Sequence, residues 1–298
     1  MSQVFLGVEQ STTARRWVGP DAALDRHAQM IVQETGFPNA MANVLARLGV
    51  AAADAARFVE PSLRELMPDP LDMKDMEKAA RRINDAAIAG QRIAIFADYD
   101  VDGATSAALL HDWLSQLGNV PTIYVPDRID EGYGPNDEAM QKLAKSHDLI
   151  VCVDCGTLSH GPIDAVAGTD VVVLDHHLGG ETLPSAYAVV NPNRQDETGD
   201  LYYLCAAGVV FMTLAAMNGL RRGAKLPTPD LLAMLDLVAL GTVADVAPLV
   251  GFNRALVRQG LKVMAARGRV GLVALADVAG MNTAPAAYHL GYLLGPRI

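Results

Sequence analysis

The chain has 298 residues, room for about two folding units of ordinary size or one large α/β unit. Its residues are 51% apolar and 19% charged, and its longest apolar runs, such as residues 208–212, stop far short of the roughly 20 residues a bilayer span needs; transmembrane, collagenous and disordered classes are excluded. The net charge of −10, from 24 Lys plus Arg against 34 Asp plus Glu, argues against electrostatic coating of nucleic acid by the whole surface, but it is compatible with a carboxylate-lined metal site beside a small basic groove.

The first residues, Met1-Ser2-Gln3-Val4-Phe5-Leu6-Gly7, lack the basic flank and apolar centre of a secretion signal, and three cysteines make a poor disulfide framework, so a reduced, cytoplasmic protein with no membrane partner is expected. Up to Gly90 the apolar residues recur three or four apart over residues 24–32, 40–48 and 73–88, which predicts a helical N-terminal segment over residues 1–90. From Arg92 onward the texture changes. Short β-branched runs at 93–97, 122–125, 149–153, 171–174 and 188–190 alternate with helical stretches at 104–117, 136–146 and 159–166, and helices return over 204–217 and 230–240. This alternation predicts an α/β domain over residues 91–298, a parallel sheet with helices on both faces.

In such sheets ligands collect where the strands give way to loops. Asp98, Asp100 and Asp102 follow the first predicted strand, Asp154 follows the third, and Asp175-His176-His177 follows the fourth. Carboxylates converging without cations would repel by about 4 kcal/mol per pair at a separation of about 4 Å and an effective dielectric near 20, so convergence implies a divalent metal. Asp98-Tyr99-Asp100-Val101-Asp102-Gly103 also fits the opening of a calcium-binding EF-hand loop, but Leu109 stands where the bidentate Glu should be, and a strand precedes the loop. Cys152-Val153-Asp154-Cys155 has no second cysteine pair to complete a zinc site, and Cys152 lies inside an apolar strand, so packing is its expected role. No Walker loop, strand-associated G-x-G-x-x-G or H-E-x-x-H occurs, leaving two-metal hydrolysis as the reading.

Four motifs then carry a resemblance: Asp98-Tyr99-Asp100-Val101-Asp102-Gly103-Ala104-Thr105-Ser106, Val153-Asp154-Cys155-Gly156, Asp175-His176-His177 and Gly241-Thr242-Val243-Ala244-Asp245-Val246. In this order they resemble the signature motifs of the DHH phosphoesterase superfamily. Pro126-Asp127-Arg128-Ile129-Asp130-Glu131-Gly132-Tyr133-Gly134, Asn191-Pro192 and Gly295-Pro296-Arg297-Ile298 are similar to its branch of bacterial single-strand-specific 5′-to-3′ DNA exonucleases, acting in DNA repair and recombination. Phe96 occupies the position where the superfamily's manganese pyrophosphatases carry a histidine ligand, which also favours the exonuclease branch.

The resemblance implies a pair of Mn²⁺ or Mg²⁺ ions, with Asp98 and Asp100 toward one, Asp102, His176 and Asp245 toward the other, and Asp154 bridging. His177 is then left to hydrogen-bond a phosphate oxygen or handle a proton, or else to support His176 from behind. Arg128, Arg254 and Arg297 are the candidates for binding DNA phosphates, since arginine grips them bidentately, while His289, Arg258 and Arg269 receive no role. The resemblance further implies single-stranded DNA as substrate, and single-strand-binding protein and a helicase as possible partners. Because the family's Gly-Pro-Arg stretch continues into a DHH-associated domain, residues 91–298 are expected to be a catalytic core ending before that domain. Two other readings stand beside this one: a DHH phosphodiesterase for short RNA or cyclic dinucleotides, and a non-catalytic DHH-fold scaffold.

Overall fold

The computed structural model describes residues 4–19 and 21–298, and the chain divides into two compact units, Met1–Glu65 and Leu66–Ile298. In the first unit, α1 (Ala22–Thr35), α2 (Asn39–Arg47) and α3 (Ala55–Val59) bury a small core of Ala28, Ile31, Ala42, Leu45, Ala46, Val50 and Ala55. Asp21 caps α1 by accepting the Ala23 N–H at 2.9 Å, and Gly36 ends it at φ 72°, the left-handed conformation glycine adopts without strain. A short turn of helix, α4 (Leu63–Leu66), marks the division.

The second unit opens with α5 (Met76–Ile88), a helix that the sequence periodicity groups with residues 1–90. Met76, Ala79, Ala80 and Ile83 are buried, α5 packs on the sheet's last strand and on α9 (Ala206–Gly223), and Asp75 just ahead of it accepts the Val189 N–H at 3.1 Å. The periodicity of residues 73–88 identifies a helix but carries no record of which sheet its apolar face covers.

Five strands, β1 (Ile93–Ala97), β2 (Thr122–Tyr124), β3 (Leu149–Val153), β4 (Asp170–Leu174) and β5 (Ala188–Val190), pair in parallel in the order β2-β1-β3-β4-β5. β1 and β3 are buried along their whole length because both faces are covered, and this is why they read as continuous apolar runs rather than alternating ones. On one face Phe96, Ile150, Cys152, Val171 and Val173 pack with α7 (Asp137–Ala144) and α8 (His160–Asp164). α5, α6 (Val101–Gln116) and α9 pack against β5, β1 and β4. Strand order reverses between β1 and β3, so the chain departs in opposite directions from two adjacent strand ends and opens a crevice there.

The remaining helices, α10 (Leu235–Ala244), α11 (Gly251–Ala265), α12 (Val270–Val278) and the short α13 (Ala287–His289), follow in order, and α10 packs on α6, α9 and α11. No helix among the described residues is long and apolar enough to cross a membrane. Cys152, Cys155 and Cys205 are unpaired and buried, and burial pushes the Cys152 thiol up to about 12, in keeping with packing rather than redox chemistry.

Candidate metal centre

β1 ends at Asp98 and β3 at Asp154, so the crevice at the strand-order reversal is lined by carboxylates from its two adjacent walls. After Asp98 the chain turns directly into α6, capped by Asp100, whose Oδ1 accepts the N–H of Asp102 at 2.9 Å and of Gly103 at 3.0 Å. A Cβ at residue 103 would stand 2.3 Å from the Asp98 carbonyl oxygen, so only glycine lets the first turn of α6 seat on the strand end.

Asp102, 1% exposed, accepts N–H bonds from Ala206 at 2.6 Å and Ala207 at 2.9 Å, the first residues of α9. One carboxylate thus ties the starts of α6 and α9 together. Burial raises its pKa, Asp245 adds to this, and the bonds from α9 oppose it. Gly241 of α10 fits tightly against this junction. A Cβ there would meet Thr105 Oγ1 at 2.5 Å and both Ala207 Cβ and Asp102 Oδ1 at 2.8 Å, so Gly241→Ala is expected to cost about 1–3 kcal/mol by overpacking, read as a lowered urea midpoint.

Asp154 is the most strained member of the group. It holds φ at 62°, is 1% exposed, and neither carboxylate oxygen accepts a hydrogen bond from any described residue. Asp98 Oδ1 is likewise buried without a partner. Burial, with Asp102 and Asp100 nearby, pushes Asp154 far above the carboxylate range, and burial raises Asp98 to about 6. Asp245, just past α10, is also raised to about 6, by burial and then Asp100. Buried anionic oxygens left unpaired are costly, and a cation is the group that would satisfy them.

His176 stands among these acids. Its Nε2 is 3.3 Å from Asp154 Oδ1 and 3.8 Å from Asp102 Oδ2, and its Nδ1 is 3.9 Å from Asp245 Oδ2, all at ion-pair rather than hydrogen-bonding geometry. Burial lowers its pKa, favouring the neutral imidazole that metals bind. Three sets bring ligand atoms within 4.8 Å of one another: Asp98 with Asp100 and Asp154, Asp154 with His176 and His177, and Asp102 with His176 and Asp245. Every residue singled out in the sequence as a metal ligand therefore falls in one cluster. His177, set apart from the metals by the sequence reading, also offers a ring nitrogen to it.

Several participants had no assigned role in the sequence. Asp175 is buried, yet its carboxyl lies well below the usual range. Burial would raise it, but bonds from His177 Nδ1 at 2.8 Å and the Thr157 N–H at 3.0 Å prevail. The same hydrogen bond raises His177. The Tyr133 hydroxyl lies 3.1 Å from His177 Nε2, so the imidazole is gripped on both sides. Asn191 Nδ2 donates to the His177 carbonyl at 2.8 Å and Asn193 Nδ2 to the His176 carbonyl at 2.6 Å, fixing the backbone of the histidine pair. The turn residues Gly132-Tyr133-Gly134 and Asn191-Pro192 stood out in the sequence, but a hydroxyl or amide that reaches across the sheet edge leaves no local periodicity.

Of the three arginines, Arg128 is exposed and lies over the Tyr99 ring, 5.2 Å from its centroid, while Tyr99 meets Tyr133 edge-on at 6.3 Å and Tyr133 meets His177 at 5.8 Å. A continuous chain of rings thus links Arg128 to the acidic cluster. Arg254 lies on α11, one turn from Arg258, and Arg297 donates to the Leu293 carbonyl at 2.7 Å in the last turn. Arg269 pairs with Asp236 at 2.9 Å and Asp112 at 3.3 Å, and His289 Nδ1 accepts the Ala286 N–H at 3.0 Å.

A parallel sheet whose strand-end carboxylates gather with a histidine pair defines a class, and the family model described as "DHH family, N-terminal domain" matches residues 92–242. The chain belongs to the DHH family. Within it, the chain is similar to the single-stranded-DNA-specific exonuclease RecJ of Dickeya dadantii, 40% identical over 278 residues that make up 89% of this chain and 48% of that protein. It is also similar to the crystal structure of Thermus thermophilus RecJ in complex with Mn²⁺ (TM-score 0.75, 32% identity, 94% of this chain and 39% of that one). The complex of the same protein with Mg²⁺ matches as well (TM-score 0.63, 30% identity, 94% and 35%). The chain spans about half the length of the first of these relatives.

Proposed function

We propose that this chain carries the metal-dependent centre of a nuclease that hydrolyses phosphodiester bonds in single-stranded DNA from the 5′ end, in repair and recombination. The observation that supports it most directly is the pair of buried oxygens on Asp154 that accept no hydrogen bond from a described residue, inside a cluster of six aspartates and two histidines. The similarity to RecJ proteins, including ones holding Mn²⁺ or Mg²⁺, supports the same reading.

Asp98 and Asp100 would hold one divalent ion and Asp102, His176 and Asp245 the other, with Asp154 serving both. Bound there, the ions supply activation of a water and neutralisation of charge on the attacked phosphate. Asp175 and Tyr133 orient His177 so that its ring faces the cluster, where it can hydrogen-bond a phosphate oxygen or support the metals. Arg128, held against Tyr99, is suited to grip a DNA phosphate, with Arg254 and Arg297 as further anchors. The cytoplasm is the compartment proposed, with single-strand-binding protein and a helicase as working partners.

The test is manganese-dependent digestion of single strands labelled at the 5′ or the 3′ end. Early release of the 5′-terminal mononucleotide is the expected result. Attack confined to the 3′ end would reverse the polarity, and faster cleavage of a dinucleotide than of a long strand would transfer the assignment to a short-RNA phosphodiesterase.

A further inference from the structure

We propose that Asp75 and Arg194 form a positioning clamp that holds the backbone of His176 and His177 at the metal centre; this deepens the metal-centre reading and rests on it for what the histidines ligate. Neither residue belongs to the three sets of converging ligand atoms, and Asp75 lies ahead of the residues that the family model matches.

The histidines are held through their main chain. Asn191 Nδ2 donates to the His177 carbonyl and Asn193 Nδ2 to the His176 carbonyl, so the place of both depends on the loop that follows β5. The same loop meets the histidine segment a second time. The Gly179 N–H donates to the Asn193 carbonyl at 3.0 Å, and a Cβ at residue 179 would stand 2.9 Å from Arg194 Cα. A displacement of residues 193–194 is therefore passed directly to the pair.

Arg194 is what fixes the loop. Its side chain is 8% exposed, and Nη1 reaches back to β5, donating to the Val189 carbonyl at 2.7 Å and to Asp75 Oδ2 at 3.1 Å. Nε and Nη2 grip the two oxygens of Asp196 at 2.6 and 3.0 Å. Because Asp75 Oδ2 also accepts the Val189 N–H, one carboxylate oxygen joins the start of α5, β5 and the loop at a single point. The Lys74 N–H adds a further stitch, donating to Glu197 Oε2 at 2.9 Å. A planar guanidinium held on both sides has little freedom to swing, which makes it a firm support for groups that orient metal ligands; loss of such outer support lowers metal affinity although the lost group never touches the metal.

Asp75 holds φ at 60°, a conformation that glycine adopts without strain, so Asp75→Gly removes the carboxylate and leaves the turn at ease while Asp196 still neutralises Arg194. The comparison variant is Asp170→Ala. It strips a carboxylate from Arg82 at the opposite end of the sheet, where Arg82 keeps Gln91 and the Asp148 carbonyl.

The experiment uses the full chain and measures Mn²⁺ affinity by titration calorimetry, together with amide hydrogen exchange over residues 176–179 in the metal-free protein. Asp75→Gly is expected to weaken Mn²⁺ binding about tenfold and to speed that exchange by a similar factor, and Asp170→Ala to leave both at the wild-type level while lowering the thermal midpoint. Asp75→Asn, a milder change that keeps an oxygen for the two donors, reads the same quantities if the glycine variant does not fold. Unchanged Mn²⁺ affinity in the Asp75 variant, unchanged exchange, or an equal loss in Asp170→Ala overturns the clamp. A wild type that binds no Mn²⁺ while the exchange still responds to Asp75 removes the metal centre and leaves the hold on the histidine backbone standing.

Discussion

Asp154→Ala is expected to lower manganese-dependent phosphodiester hydrolysis by a factor on the order of 10³ or more, about 4 kcal/mol of transition-state stabilisation, while the sheet remains folded. Asp154 is the residue whose ligand atoms fall with those of Asp98 and Asp100 on one side and with the histidine pair on the other. Its oxygens accept no hydrogen bond from a described residue, so the metal-free fold gains little from them. An unsatisfied buried polar group costs about 1–3 kcal/mol, which offsets the small cavity alanine leaves. Alanine is less at ease than aspartate at φ 62°, so the two effects roughly cancel; the metal-free unfolding midpoint should stay near the wild-type value, and the increase in midpoint produced by Mn²⁺ in the wild type should vanish. A variant that keeps its activity at equal metal concentration, or keeps the full Mn²⁺-dependent stabilisation, would remove Asp154 from between the two ligand groups.

The metal-free protein is expected to lose stability as pH rises from about 5 to 8, and Mn²⁺ to restore it at pH 8 while doing little at pH 5. Asp98 and Asp245 sit at about 6 in the folded state, and Asp102 and Asp154 are raised as well, all principally by burial. Unfolded, each returns to the neighbourhood of 3.8. Between those values the folded state binds more protons than the unfolded one, so their contribution is complete below about 4 and is lost as pH climbs through the folded pKa values. For Asp98 alone, the distance from 3.8 to about 6 corresponds to about 3 kcal/mol, enough to move the midpoint of a unit this size by roughly 5–10 °C. Asp175 and His176 act in the opposite sense through depressed pKa values: Asp175 contributes stability above about 4 that disappears in acid, and His176 contributes stability above about 6.5 that is lost below it, while the raised His177 acts with the buried acids, which outnumber the opposing pair. Metal binds the ionised carboxylates, so its stabilisation must grow with pH. Differential scanning calorimetry with and without Mn²⁺ at the two pH values decides the matter. A metal-free midpoint that rises across this range, or a metal effect independent of pH, would contradict the burial of these acids at one centre.

Much of this architecture was legible before any coordinates. β1, β3 and β5 occupy the expected residues, because strands buried on both faces are short unbroken runs of β-branched and apolar side chains that end where the first polar residue appears. Asp98 and Asp154 were conspicuous for the same reason, each being the carboxylate at which such a run ends. β2 is one residue shorter than expected, since Val125 continues the apolar pattern past the last parallel pairing with β1, and this edge strand has a neighbour on one side only.

The sequence by itself determined the alternation of strands and helices and the kinds of residue placed at the strand ends, because both follow from local patterns of period two or 3.6 and from the polarity of the next residue. Only the tertiary structure decided that α5 belongs with the sheet, that the oxygens of Asp102 bond to the start of α9, and that Asp175 and Tyr133 grip His177. Each depends on a partner dozens of residues away or on the packing of neighbouring helices. Such partnerships come from the order in which strands join and the way helices settle on them, and neither leaves a periodic trace in the chain.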